Sequence, residues 1–148
     1  MMKLIDYCAE HNIEEILQLP DVMERVELYD SLKDQALEQI KKCSTVHNNL
    51  VVLDLREEET IYPTNRFMIY ALFPECNISI HQLWGLKKQN IVFATGKSIL
   101  KRDSKTNVGE LCLRYGGGGH HAAGTCQVST DRGEVVLQEL IDQINKDG

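Results

Sequence analysis

Residues 115–124 read Tyr-Gly-Gly-Gly-Gly-His-His-Ala-Ala-Gly, and the four consecutive glycines, Gly116 to Gly119, constrain this chain more than any other feature. A stretch with no side chains lets backbone N–H groups approach a ligand that no other sequence would admit. Order in such a run costs roughly 0.5–1 kcal/mol per residue relative to alanine. That cost suits a place where close backbone approach matters, above all at an anion or phosphate. His120 follows at once, with an imidazole that donates a hydrogen bond or carries charge near neutral pH. Ala122, Ala123 and Gly124 keep the exit narrow.

The flanks are not those of a flexible linker. Val108, Leu111, Cys112 and Tyr115 recur at i, i+3, i+4 and i+7, which predicts one face of a helix. Thr106 or Asn107 can cap its start and the first glycine its end. Residues 124–129 have strand composition. The glycines are therefore expected to join a helix to a strand inside a packed domain.

Elsewhere, residues 2–10 and 13–19 predict two short helices, the second opened by an Asn12/Glu15 capping box and stopped by Pro20. A second capping pattern, Asp21 with Glu24, leads into an apolar stripe that predicts one long helix to about Lys42. Strands are expected over 49–55, over 66–73 as an apolar central strand, over 77–83, and over 90–100 with a bend at Gly96. With 124–129 these make five. Asp131 and Glu134 open a last helix. The expected fold class is α+β, a mixed β-sheet of about five strands with packed helices.

A chain of 148 residues suits one compact domain, able to bury roughly 68–70% of its unfolded surface. No apolar run is long enough to predict a membrane span, and the N-terminus has no signal-peptide core. Such a beginning suits a cut inside a longer protein. The five cysteines are odd in number and lack a C-x-x-C spacing. They point to free thiols in a reducing, cytoplasmic setting, with Cys112 in the core and Cys126 alternating into a sheet. Net charge is −6, yet residues 87–121 hold seven Lys and Arg against two acidic residues. Positive charge gathered beside the glycines of an acidic body suits a short anionic ligand better than a long duplex; a solvated lysine-rich face is the plainer alternative.

The run G-G-G-G-H-x-A-A-G resembles the signature of the DHH-associated C-terminal domain of DHH-superfamily phosphoesterases. These include RecJ-type exonucleases, nanoRNases with bisphosphate nucleotidase activity, cyclic-dinucleotide phosphodiesterases and exopolyphosphatase-related proteins. Residues 91–113, Asn65-Arg66-Phe67 and 124–128 extend the resemblance over about residues 45–148. Residues 1–44 would then be a helical linker or the tail of an N-terminal catalytic domain. In this family catalysis lies in that other domain, whose Asp-x-Asp and Asp-His-His motifs hold two metal ions, usually manganese. Neither motif occurs here, so the resemblance implies no catalytic residue, metal ligand or cofactor in this chain. It implies a substrate-gripping partner of a DHH domain that takes a short oligonucleotide, a nucleoside phosphate or polyphosphate.

On this basis Gly117, Gly118 and Gly119 present N–H groups to a phosphate, Gly116 caps the helix, and His120 contacts a phosphate oxygen. Arg102 is the candidate clamp, since guanidinium binds phosphate with two parallel hydrogen bonds; Ser98 and Ser104 add hydroxyl donors. The family's Ser-x-Arg-Ser pattern aligns only loosely with residues 98–104. Arg66 is a further candidate, with a surface ion pair as its alternative. Trp84, Tyr70 and Phe67 could stack a base, although core packing accounts better for the last two. Two other functions suit the same sequence: a stand-alone nucleic-acid-binding module, like the similar domain of alanyl-tRNA synthetases, or a homodimerisation domain. A P-loop nucleotidase is a poor fit because no Lys-Ser/Thr follows the glycines, and a zinc site is also poor because no spacing suggests a tetrahedral set.

Overall fold

Residues 50–54, 78–84 and 90–97 supply the central strands of a sheet with one face covered by helices and the other covered over part of its width. The computed structural model describes residues 2–148. Four helices come first: α1 (Met2–Glu10), α2 (Ile13–Leu17), α3 (Pro20–Ser31) and α4 (Lys33–Cys43). Strands β1 (Ser44–His47) and β2 (Leu50–Asp54) form a hairpin, followed by helix α5 (Met68–Leu72). Next come β3 (Ile78–Trp84), β4 (Asn90–Lys97), helix α6 (Val108–Leu113), β5 (Gly118–His120), β6 (Ala123–Ser129) and helix α7 (Gly133–Asp147). The sheet has six strands in the order β1-β2-β3-β4-β6-β5. Only β2 and β3 run parallel, joined by the crossover through α5; every other pair is antiparallel. The architecture is α+β with a mixed sheet.

One face carries Ile78, Ile80, Ile91, Phe93 and Cys126 against Val108, Leu111 and Cys112 of α6 and Val136, Leu140 and Ile144 of α7. The other face carries Val51, Leu53 and Leu83 against Ile40 of α4 and Ile69 and Tyr70 of α5. That second cluster covers the β2–β3 half only. Over β4, β6 and β5 the same face stays open, with Ala94 and Ala123 half-buried and Thr125 and Gln127 exposed.

Several expectations give way. Residues 66–73 do not form a central strand; Met68–Leu72 is a helix. A short run apolar on both faces fits a buried strand and a buried helical turn equally. Here the Asn65 carboxamide oxygen accepts from the Phe67 N–H at 2.9 Å and turns the chain into α5. Two strands were not expected. Ser44–His47 forms β1 through a tight turn at Asn48, whose φ is 56°, and Gly118–His120 forms β5. The strand over residues 90–100 ends at Lys97, running straight through Gly96. Pro20 starts α3 at its first position instead of stopping α2, where its missing N–H would have had no helical partner. No Asp21/Glu24 box forms, because Leu19 is the capping residue and makes no side-chain bond. The expected long helix is two, broken at Leu32. The Asn12/Glu15 box forms with both of its bonds.

Candidate functional site

Helix α6 begins as its sequence predicts, with the Asn107 side chain accepting from the Glu110 N–H. It ends in a Schellman motif. Gly116 takes φ 75°, its N–H donates to the Leu113 carbonyl at 3.1 Å, and the Gly117 N–H donates to the Cys112 carbonyl at 3.0 Å. The first glycine is thus a cap and the second has its N–H committed.

Two of the other glycines have internal reasons as well. A Cβ on Gly117 would lie 2.6 Å from Cys126 Cα and closer still to the Thr125 carbonyl oxygen. Gly119 has φ 154°, and a Cβ there would press on Ala123 and Gly124 backbone. Gly109 of α6 lets that helix rest on β5, since a Cβ would meet the Gly119 carbonyl at 2.8 Å. Gly118 differs. Its φ is not positive, and a Cβ would find nothing within 4 Å. Nothing in the fold of the described residues requires a glycine there.

Register explains what lies around it. Residues directly opposite on neighbouring strands share a face. Ser79, Gly96, Ala123 and His120 form one row across β3, β4, β6 and β5. His81, Ala94, Thr125 and Gly118 form the next row on that face. The middle of both rows, Gly96, Ala94, Ala123 and Thr125, carries only small side chains. The result is a shallow trough floored by small residues. His120 stands at one end; the Arg66 guanidinium, over Gly96, lies two strand spacings away, about 10 Å, and His81 on β3 lies three away, about 14 Å. The backbone of β5, an edge strand, also borders a concavity of about 350 Å³ lined by Asn107, Gly109, Glu110, Gly118, Gly119 and His120.

His120 is exposed, and its Nδ1 lies 3.2 Å from the Ala122 N–H, which donates to it. In the neutral ring the proton therefore sits on Nε2, free to be donated outward. At the other end the Arg66 guanidinium lies over Gly96, so that a Cβ on Gly96 would come within 2.7 Å of Nη2. Arg66 is exposed and pairs with no carboxylate among the described residues; the surface ion pair offered as its alternative does not form. Burial first, and the Arg66 charge second, push the His81 pKa down to about 4, so this ring is neutral at physiological pH. Tyr70, buried and with its pKa pushed up to about 12 by burial, holds Ser79 Oγ at 2.8 Å and the Gly96 carbonyl with its hydroxyl. It fixes the boundary between packed and open sheet.

Arg56 is the opposite case. It binds Asp54 Oδ2 at 2.7 Å and Glu134 Oε1 at 2.8 Å, and the Gln82 carboxamide oxygen, turned toward it, accepts at 3.0–3.1 Å. Burial works to raise the Asp54 pKa, yet the Arg56 hydrogen bonds hold it below the usual carboxylate range. This cation is spent on the fold.

The remaining candidates from sequence lie elsewhere. Ser98 is buried, and its Oγ accepts from the Leu100 and Lys101 N–H groups at 3.1 and 3.0 Å, closing the turn after β4. Ser104 is buried with no partner for its hydroxyl. Arg102 is exposed, its Nε donates to the Ile99 carbonyl at 2.9 Å, and it does not line the concavity beside the glycine hairpin. Trp84 donates from Nε1 to the Arg56 carbonyl at 2.9 Å and lies between Arg56 and Lys88, each 5.8 Å from its ring centre. Sequence reasoning missed Lys97. It ends β4, donates from Nζ to the Ser104 carbonyl at 3.0 Å, and lies 3.4 Å from both ring nitrogens of His121. Burial lowers its pKa. It also missed His81, whose only signal in the sequence was its place inside a strand.

No family model matches the chain, and no curated protein sequence matches it. Solved structures do. The chain is 63% identical to PggH from Vibrio cholerae, described as a pGpG-specific phosphodiesterase, over 99% of its own length and 50% of that chain, with a TM-score of 0.88. The chain belongs to the DHH-type phosphoesterase family. Its counterpart there is the DHH-associated C-terminal domain, and it spans about half the length of PggH. An exopolyphosphatase-related protein from Bacteroides fragilis shares the fold at 14% identity, with a TM-score of 0.58 over 89% of this chain and 39% of that one. So does the DHH domain of a ribosomal-protein family member, at 18% identity and a TM-score of 0.55 over 89% and 36%. Among the described residues no helix is long and apolar enough to cross a membrane.

Proposed function

We propose that this chain is the substrate-gripping half of a phosphodiesterase that acts on short linear dinucleotides such as pGpG. One phosphate of the ligand rests against Gly118 and His120, and the rest lies along the small-residue trough toward Arg66. The observation that carries this reading is Gly118. Its neighbours in the run are glycines for reasons of capping, packing or positive φ, whereas Gly118 faces open space in the same row as Thr125, beside His120. A bare backbone kept where the fold does not need it suits close approach by a ligand. Identity of 63% to a pGpG-specific phosphodiesterase over almost the whole chain favours a dinucleotide over polyphosphate.

The residues of this chain do not fit a two-manganese centre. No group of three or more His, Cys, Asp or Glu side chains among the described residues is placed to hold a metal ion. No bond-breaking step is therefore assigned to them. Their work is to bind and orient: His120 Nε2–H donates to a phosphate oxygen, and Arg66 supplies fixed positive charge about 10 Å away.

Calorimetric titration of the chain tests this. pGpG is expected to bind more tightly than tripolyphosphate or a pentanucleotide. His120→Ala should weaken pGpG by roughly 10- to 100-fold, the worth of one hydrogen bond to a charged group. Equal affinity for all three ligands, or an unchanged constant in the variant, contradicts the reading.

A further inference from the structure

Beyond the Arg66 end of the trough the sheet face dips into a cavity of about 300 Å³, lined by Leu55, Tyr62, Pro63, Asn65, Arg66 and His81 among others. This is at the small end of ligand pockets, which span roughly 300–1,000 Å³. Its walls are mainly apolar, with a few polar groups at the mouth. The wall that holds Ile61 and Tyr62 is pinned by Gln39, which also lines the cavity. Buried Gln39 donates from Nε2 to Glu58 Oε2 at 2.8 Å and to the Thr60 carbonyl at 2.7 Å, and its Oε1 accepts from the Tyr62 N–H at 3.1 Å. The polar groups at the mouth are not consumed by the fold. Arg66 has no carboxylate partner among the described residues, and His81 is shifted by burial and by Arg66 with no hydrogen bond contributing. Among the described residues the half-buried neutral imidazole has no hydrogen-bond partner, and the Arg66 guanidinium beside it, exposed and 5.6 Å from the Phe67 ring centre, has its N–H groups open to a ligand.

We infer that this cavity is a nucleobase pocket: it seats the base of the ligand's terminal nucleotide against Tyr62 and Leu55, and Arg66 at its mouth binds that nucleotide's 5′-phosphate. This rests on the proposed dinucleotide reading and deepens it. The chain then recognises a nucleotide end, not merely a string of phosphates. An apolar slot with an aromatic wall takes a base by stacking. The neutral His81 ring and the Asn65 carboxamide offer hydrogen bonds to its edge, and the guanidinium at the mouth forms the charged contact. The small-residue floor between Gly96 and His120 leaves room for the second nucleotide, and the two phosphate contacts lie at opposite ends of the trough.

The test is a calorimetric titration of the full 148-residue chain with guanosine 5′-monophosphate, ribose 5-phosphate and pGpG, repeated with Arg66→Gln, Thr64→Phe and His120→Ala. Arg66 is exposed and Thr64 half-buried, and retained melting temperatures would show that both variants fold. Guanosine monophosphate is expected to bind at least about tenfold more tightly than ribose 5-phosphate, and to lose about tenfold or more in Arg66→Gln and in Thr64→Phe. His120→Ala should weaken pGpG by a larger factor than guanosine monophosphate. The His81 ring resonances should move on addition of guanosine monophosphate. If pGpG binding depends on His120 but is indifferent to Arg66→Gln, to Thr64→Phe and to the presence of the base, the pocket is overturned and the dinucleotide trough stands. If pGpG does not bind at all, both fall.

Discussion

A Gly118→Leu chain is expected to melt where the parent melts and to bind pGpG roughly 100-fold more weakly, a loss of about 2.7 kcal/mol. The first half follows from the open space around Gly118, where a Cβ meets nothing within 4 Å, and from a φ that any residue can adopt. Surface substitutions of that kind fall within about 0.5 kcal/mol. The second half follows from the trough. A leucine side chain at that position stands over the row of Ala94 and Thr125, beside His120, and takes the volume that a phosphate and its sugar need. Thermal melting and calorimetric titration of one variant read both halves. A folded variant with parental affinity would remove Gly118 from the site.

Gly117→Ala is expected to do the reverse, costing about 3 kcal/mol of stability, at the upper end for an overpacked site. The new Cβ would lie 2.6 Å from Cys126 Cα and press on the Thr125 carbonyl. Both neighbours are backbone atoms in the middle of β6, so no rotamer change relieves the clash. For a chain of this length each kcal/mol moves the melting temperature by roughly 2–4 °C, which places the expected drop near 6–12 °C. Scanning calorimetry decides it, and a drop under about 2 °C would show that β5 and β6 are not packed as described. The two neighbouring glycines thus separate what the fold needs from what the ligand needs.

That separation was not legible in the sequence, where the four glycines look alike. The elements read correctly around them are those set by local signals. Helix α6 has an Asn107 cap, a 3.6-residue apolar period and a glycine terminator, and each signal acts within a few residues. Strand β5 could not be read this way. Glycine has no strand propensity, and Gly118–His120 becomes a strand only because β6 folds back beside it. The α5 segment misled because an apolar run of five residues has no period to distinguish. The long-helix stripe from Val22 to Lys42 was real in composition, but composition does not show the break at Leu32.

The same limit shaped the site. His120 and the glycines were visible as a motif. Arg66, the weakest of the candidates from sequence, is brought over Gly96 by the α5 crossover, whereas Arg102, the favoured clamp, turns back to its own loop. Their order reverses because proximity across a sheet is set by register, and register is a property of pairs of segments far apart in the chain. His81 and the buried Gln39 that pins the cavity wall carry no local mark at all. Their role depends on desolvation and on partners some twenty residues away.

The central claim is that a short dinucleotide lies on the open β4–β6–β5 half of the sheet. Amide-resolved NMR of the 15N-labelled chain during titration with pGpG tests it most directly. The largest and first-saturating shifts are expected at Gly118, His120, Ala123 and Thr125, with Gly96 and Arg66 following along the same face. Shifts confined to α1–α3 or to the α7 side, with Gly118 and His120 unmoved, would contradict it.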